Sequence, residues 1–163
     1  MKKRIITVLR ALTLALGGSV FLLITTACQP PVKTPSPATA KSTDKQIYVI
    51  GHRGAAGLMP ENTLAAFARA CELGVDAVEF DVLVSADGEA VVHHDFHLKP
   101  ELTRKPDGLW LDSDVSAAIR DMQLADLKTY DVGRLKPGSR YSRRYPEQQA
   151  ADGERIPTLR EVI

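Results

Sequence analysis

The chain has 163 residues, 44% of them hydrophobic, with 21 Lys and Arg against 20 Asp and Glu for a formal net charge of +1. So even a balance leaves no global field to draw in nucleic acid, and none is expected as a partner. The length allows one ordinary domain at most once any targeting segment is set aside.

Met1 to Arg4 reads MKKR, and Ile5 to Ala27 is almost wholly apolar apart from Arg10 and a few Thr, Ser and Gly. A basic start followed by an apolar run predicts a signal peptide over residues 1–27. Thr25, Thr26 and Ala27 precede Cys28, and Gln-Pro-Pro follows. This resembles the lipobox of bacterial lipoproteins, with Thr25 standing where Leu is usual. It implies lipidation of Cys28, contact with a membrane through that anchor, and a bacterial protein that is exported, either periplasmic or a membrane-anchored lipoprotein. An uncleaved span ranks behind, because the uninterrupted run after Arg10 is only about 17 residues, the short end of what crosses a bilayer. Residues 28–46, rich in Pro, Ser, Thr and Lys, read as a tether that cannot bury a core. With Cys28 lipidated, Cys71 is the one remaining thiol and no disulfide framework is expected.

The folded part begins near Ile47. IYVIG, residues 47–51, predicts a buried strand closed by Gly. Asn62 can cap a helix whose stripe is Leu64, Phe67, Ala68 and Cys71, stopped by Gly74. VDAVEFDVLVS, residues 75–85, predicts a second strand, ADGE a tight turn, and AVVHH, residues 90–94, a third. Strand, helix, strand with short links is a βαβ unit, which implies a parallel sheet, with the ADGE hairpin as a local antiparallel excursion. Residues 117–130 read as helical pieces around Leu124 and Leu127, residues 131–155 as a long polar loop, and IPTLREVI as the opening of another helix with Pro157 near its start.

Glu79 and Asp81, two apart on one strand, put two carboxylates on one face. Like charges side by side in a partly buried place are costly unless a cation lies between them, and two hard oxygen donors suit Ca²⁺ or Mg²⁺. The alternation with Val78, Phe80 and Val82 fits a solvent-facing strand equally well. Two flanking motifs favour the cation. Gly51-His52-Arg53-Gly54 ends the first strand, and His93-His94-Asp95 ends the third. In parallel α/β architectures such ends face the site. Arg53 offers a planar fork for phosphate oxygens, and His titrates near neutrality and can move protons. His93 points opposite to His94 and reads as structural, and His97 as a loop residue. Cys71 reads as core. Arg140, Arg143 and Arg144, interleaved with Tyr141 and Tyr145, read as a solvated loop.

GHRGAAGLMPENTLAAF, VEFDVLVSADGEAVVHHD and IPTLREVI, in that order, resemble the signature segments of the glycerophosphodiester phosphodiesterase family. YDVGRLKPGSRY and RYPEQQ are similar to its bacterial members. The resemblance runs from about Ile47 to Ile163 and implies an α/β fold, the TIM-type (β/α)8 barrel, of which residues 47–163 form the N-terminal portion. It implies hydrolysis of glycerophosphodiesters to glycerol 3-phosphate and an alcohol. His52 and His94 are then the acid/base pair, Arg53 the phosphate-binding group, and Glu61 a supporting residue acting through Arg53. Glu79 and Asp81 hold one divalent cation, Ca²⁺ ahead of Mg²⁺.

A complete barrel of this type takes about 250 residues, and fewer than half of those fit in residues 47–163. The resemblance also implies a third metal carboxylate, a Glu on a strand beyond Ile163. This chain is therefore expected to be a truncated, N-terminal part of an enzyme, poorly stable and inactive alone. The alternative is a non-catalytic surface lipoprotein that uses the fold for ligand or host binding. Head group and oligomeric state are not legible.

Overall fold

The structure, a computed structural model, describes residues 6–8, 25–27, 47–115 and 117–163. The rest of the expected signal peptide, Cys28 and the tether lie outside the described residues. Among the described residues no helix is long and apolar enough to cross a membrane.

The βαβ unit forms, but its first strand starts later than expected and is not buried: Ile47, Tyr48, Val49 and Ile50 are all exposed. Strands β3 (Ile50–His52) and β4 (Ala77–Glu79) pair in parallel with His52 opposite Glu79, and helix α1 (Leu64–Leu73) connects them. Two further strands, β1 (Ile6–Val8) and β2 (Thr25–Ala27), extend the sheet in the order β1-β2-β4-β3, with Thr26 antiparallel to Val78. Gly74 closes α1 in the left-handed conformation, φ 73°, and its N–H reaches the carbonyls of Ala70 and Cys71.

Two sequence expectations for α1 are corrected. Thr63, not Asn62, is the cap: its hydroxyl accepts from the Ala66 N–H, while Asn62 lies one residue outside at φ 56° and is buried. The buried face is Ala66, Phe67 and Ala70, whereas Leu64, Ala68 and Cys71 are exposed. Ala66 lies on the inner face where the chain after β3 presses directly on the helix. A Cβ on Gly54 would meet the Ala66 carbonyl carbon at 2.8 Å, so the chain after β3 can lie against the helix at Ala66 only because position 54 carries no side chain. Cys71 is disulfide-bonded rather than a lone core thiol.

The second expected strand is broken. After Glu79 the chain leaves the β4 ladder at Phe80 and Asp81 and resumes as β5 (Val82–Val84), which pairs antiparallel with β6 (Ala90–Val92). The ADGE turn closes this hairpin, with Gly88 donating to the Ser85 carbonyl. Phe80 sits edge-on to Phe67, ring centroids 5.5 Å apart, in the core between sheet and helix with Val75, Val78 and Val92. Each such side chain contributes about 2 kcal/mol of burial.

Beyond the hairpin the chain is mostly turns wrapped over a second apolar cluster of Val91, Leu98, Leu111, Ile119, Leu127, Val132 and Ile156. The expected helical pieces are a 3-10 turn at Ile119–Asp121 and helix α2 (Leu124–Leu127). Residues 131–155 are not all loop: Arg140–Arg144 forms helix α3, capped by Ser139. IPTLREVI yields α4 (Leu159–Val162), opened by a capping box between Thr158 and Glu161.

Candidate active site

Arg53 follows the last residue of β3 in the left-handed conformation, φ 51°, and Gly54 follows likewise at φ 83°. A non-glycine residue there is uncommon and costs about 1–2 kcal/mol. Two hydrogen bonds hold it: the Arg53 N–H donates to Glu79 Oε2 at 3.1 Å, and the Asn62 N–H donates to the Arg53 carbonyl at 3.0 Å. The second bond closes the 53–62 loop and brings Glu61 beneath the guanidinium, where Arg53 Nη1 lies 2.8 Å from Glu61 Oε1. Both side chains are largely buried, at 12% and 9% exposure. Arg53 Nε is 3.8 Å from Asp81 Oδ2. Burial opposes the Arg53 charge, but the Glu61 carboxylate, helped by Tyr141 and Asp81, outweighs it and raises the Arg53 pKa above its usual value.

His52 stands at the rim, well exposed, with Nε2 3.9 Å from Glu79 Oε2. Because the strand breaks after Glu79, the two carboxylates are not neighbours on one strand face, as the two-residue spacing suggested. They converge through Arg53 instead, Glu79 on its main-chain N–H and Asp81 on its Nε. Asp81 Oδ2 is buried and accepts no hydrogen bond. A buried carboxylate oxygen without a hydrogen bond, held only by a long ion pair to Arg53 Nε, is donor chemistry suited to a hard divalent cation. No group of three or more metal-ligating side chains is present among the described residues.

The hairpin delivers the other imidazole. The His93 N–H donates to the Asp81 carbonyl at 3.1 Å, continuing the β5–β6 register and placing His94 beside the end of β4. His94 Nδ1 is 3.1 Å from Asp95 Oδ1, and Lys99 Nζ is 2.8 Å from Asp95 Oδ2. Burial alone would raise the Asp95 pKa, yet Lys99 and then His94 outweigh it and hold Asp95 below the usual carboxylate range. His93 points the other way, into the interior, where burial pushes its pKa down to about 4 against the opposing pull of Asp95 and Glu61. His97 is exposed.

Sequence reasoning passed over Tyr141. Its hydroxyl donates to Glu61 Oε2 and accepts from Arg53 Nη1 at 3.4 Å, and Lys99 Nζ lies 5.9 Å from its ring centre. Burial and the Glu61 charge raise the Tyr141 pKa, so the phenol stays protonated as a donor. Contacts therefore run unbroken from His52 through Glu79, Arg53, Glu61, Tyr141, Lys99 and Asp95 to His94. The one sequence signal was the interleaving of Tyr with Arg at residues 140–145.

Comparison with known proteins gives the family. A solved glycerophosphoryl diester phosphodiesterase structure from Silicibacter pomeroyi DSS-3 is 44% identical, with a TM-score of 0.69 over 71% of this chain and 39% of that one. A phosphodiesterase of Oleispira antarctica, solved with its product sn-glycerol-3-phosphate, is 37% identical at a TM-score of 0.51 over 72% of this chain and 38% of that one. The described fold is part of a TIM-type barrel. The chain belongs to the glycerophosphoryl diester phosphodiesterase family, whose model matches residues 52–163. Among curated relatives, the glycerophosphodiester phosphodiesterase of Caldanaerobacter subterraneus is 40% identical over 115 residues, which cover 71% of this chain and 38% of that protein. The chain thus spans about two fifths of the length of the proteins it matches.

Proposed function

We propose that these residues serve metal-dependent hydrolysis of a glycerophosphodiester to glycerol 3-phosphate and an alcohol. The observation that carries this reading is the convergence of Glu79 and Asp81 on Arg53, with Asp81 Oδ2 buried and making no hydrogen bond. Glu79 and Asp81 would hold one divalent cation, Ca²⁺ ahead of Mg²⁺, which when bound supplies positive charge to the phosphate oxygens.

Arg53 binds the phosphate as a permanently charged fork, fixed in place by Glu61. Charge builds on the phosphoryl oxygens as the nucleophile attacks, so Arg53 stabilises the transition state more than the ground state. One of His52 and His94 takes a proton from the attacking water, or from the glycerol hydroxyl if a cyclic phosphate forms first. The other gives a proton to the departing alkoxide, so the protons balance over the cycle. Asp95, kept ionised by Lys99, orients His94 through its Nδ1.

The leader pattern and the oxidised Cys71 both support export, because disulfides persist in oxidising compartments. For the enzyme of which these residues form part, release of glycerol 3-phosphate from glycerophosphodiesters, abolished by chelator and by His52→Ala, is the expected result of the enzymatic reading. Ligand binding that ignores both chelator and the loss of Glu79 or Asp81 would replace it with the non-catalytic binding role.

A further inference from the structure

We propose that Tyr141 is a positioning residue for the phosphate-binding arm, holding Glu61 so that Glu61 holds Arg53. This rests on the functional reading above and adds to it a residue from a segment 88 positions away from Arg53. The geometry is specific. Glu61 has two oxygens, and each has a different holder: Oε1 takes Arg53 Nη1 at 2.8 Å and Oε2 takes the Tyr141 hydroxyl. A carboxylate at 9% exposure with one oxygen unclaimed would turn toward water and carry the guanidinium with it.

The segment that carries Tyr141 is itself tied to the loop that carries Arg53. Gln148 Nε2 donates to the Ala56 carbonyl at 2.7 Å, and the Gln149 N–H donates to the Leu58 carbonyl at 2.8 Å. Ser139 caps α3, accepting from the Ser142 N–H at 3.0 Å. With its helix capped and the following residues tied to the Arg53 loop, Tyr141 lies where its hydroxyl meets Glu61 and Arg53 while its ring meets Lys99. Lys99 in turn holds Asp95, the partner of His94. Tyr141 therefore fixes the distance between the phosphate-binding arm and the imidazole arm, and does so without touching the reacting atoms.

The test uses Tyr141→Phe, which keeps the ring over Lys99 and beside Tyr145 and removes only the hydroxyl. In the full chain, nitrogen-15 NMR reads Arg53 directly, since a clamped guanidinium gives slow Nε–H exchange and separate Nη signals. Isothermal titration with inorganic phosphate and with glycerol 3-phosphate reads the arm's function. The expected result is fast exchange and collapsed Arg53 signals in Tyr141→Phe. Both anions should bind about tenfold more weakly, the effect of one charge-assisted hydrogen bond, at an unchanged melting temperature. Arg53 signals identical to wild type would overturn the proposal, and so would a mobilised Arg53 with unaltered anion affinity. Wild-type chain that binds neither anion would overturn the phosphate reading of the site itself, and the role of Tyr141 with it.

Discussion

Replacing Gly54 by Ala tests the packing that aims Arg53. A Cβ at Gly54 would stand 2.8 Å from the Ala66 carbonyl carbon, 2.9 Å from its Cβ and 3.0 Å from its oxygen. These belong to the first turns of α1, not to the far end of a flexible side chain, so relief requires the helix or the loop to move. The φ of 83° adds a conformational cost. A left-handed Ala costs about 1–2 kcal/mol and overpacking about 1–3, so Gly54→Ala should lose about 2–5 kcal/mol. Gly57 is the internal control, because nothing lies within 4 Å of the Cβ it would gain. Gly57→Ala should stay within about 1 kcal/mol of zero. Urea unfolding followed by far-ultraviolet circular dichroism measures both, provided the slope m is the same in each variant. Equal midpoints for the two variants would refute the close approach of the Arg53 loop to α1.

Other outcomes follow from the same contacts. His93 is buried and neutral with a pKa near 4, against 6.5 for the free imidazole. The unfolded chain therefore binds more protons between these values, and stability falls as pH drops from 6.5 toward 4 by about 3 kcal/mol in all. His93→Leu should flatten that part of the urea-midpoint profile, and an unchanged slope would show another group responsible. Asp131 takes Arg104 Nη2 at 2.6 Å, the Gly153 N–H at 2.9 Å and the Gly133 N–H at 2.8 Å. Asp131→Ala should cost about 3 kcal/mol in the same assay, and a loss under about 1 would make that network a minor one. Alkylation before and after reduction tests the cysteines. The disulfide at Cys71 predicts no reactive thiol until reduction, whereas one reactive thiol with a diacylglycerol mass on Cys28 would establish the lipid anchor that the leader suggests.

What could be read in the sequence was local. Gly74 ends α1 as its position after an apolar run requires, and the ADGE turn follows from side-chain chemistry within four residues. His93 turns inward because strand residues alternate. Contacts distant in sequence were not readable. Tyr141 meets Glu61 across 80 positions, and a Tyr among arginines in a polar segment looks solvated until the fold lays that segment over the Arg53 loop. The break at Phe80 and Asp81 was hidden for a related reason. VEFDVLV is uniformly β-prone, and the chain leaves the ladder there because Asp81 must offer its carbonyl to His93 and its side chain to Arg53. Capping by Thr63 instead of Asn62 depends on Asn62 bonding back to Arg53, which residue preferences alone cannot reveal.

Calcium titration of the chain, with and without glycerol 3-phosphate, bears most directly on the shared cation site of Glu79 and Asp81. One ion should bind, more tightly when the anion is present, and Glu79→Gln or Asp81→Asn should lower its affinity at least tenfold, the effect of losing one carboxylate ligand. Calcium binding that is indifferent to both substitutions, or that glycerol 3-phosphate leaves unchanged, would contradict the account.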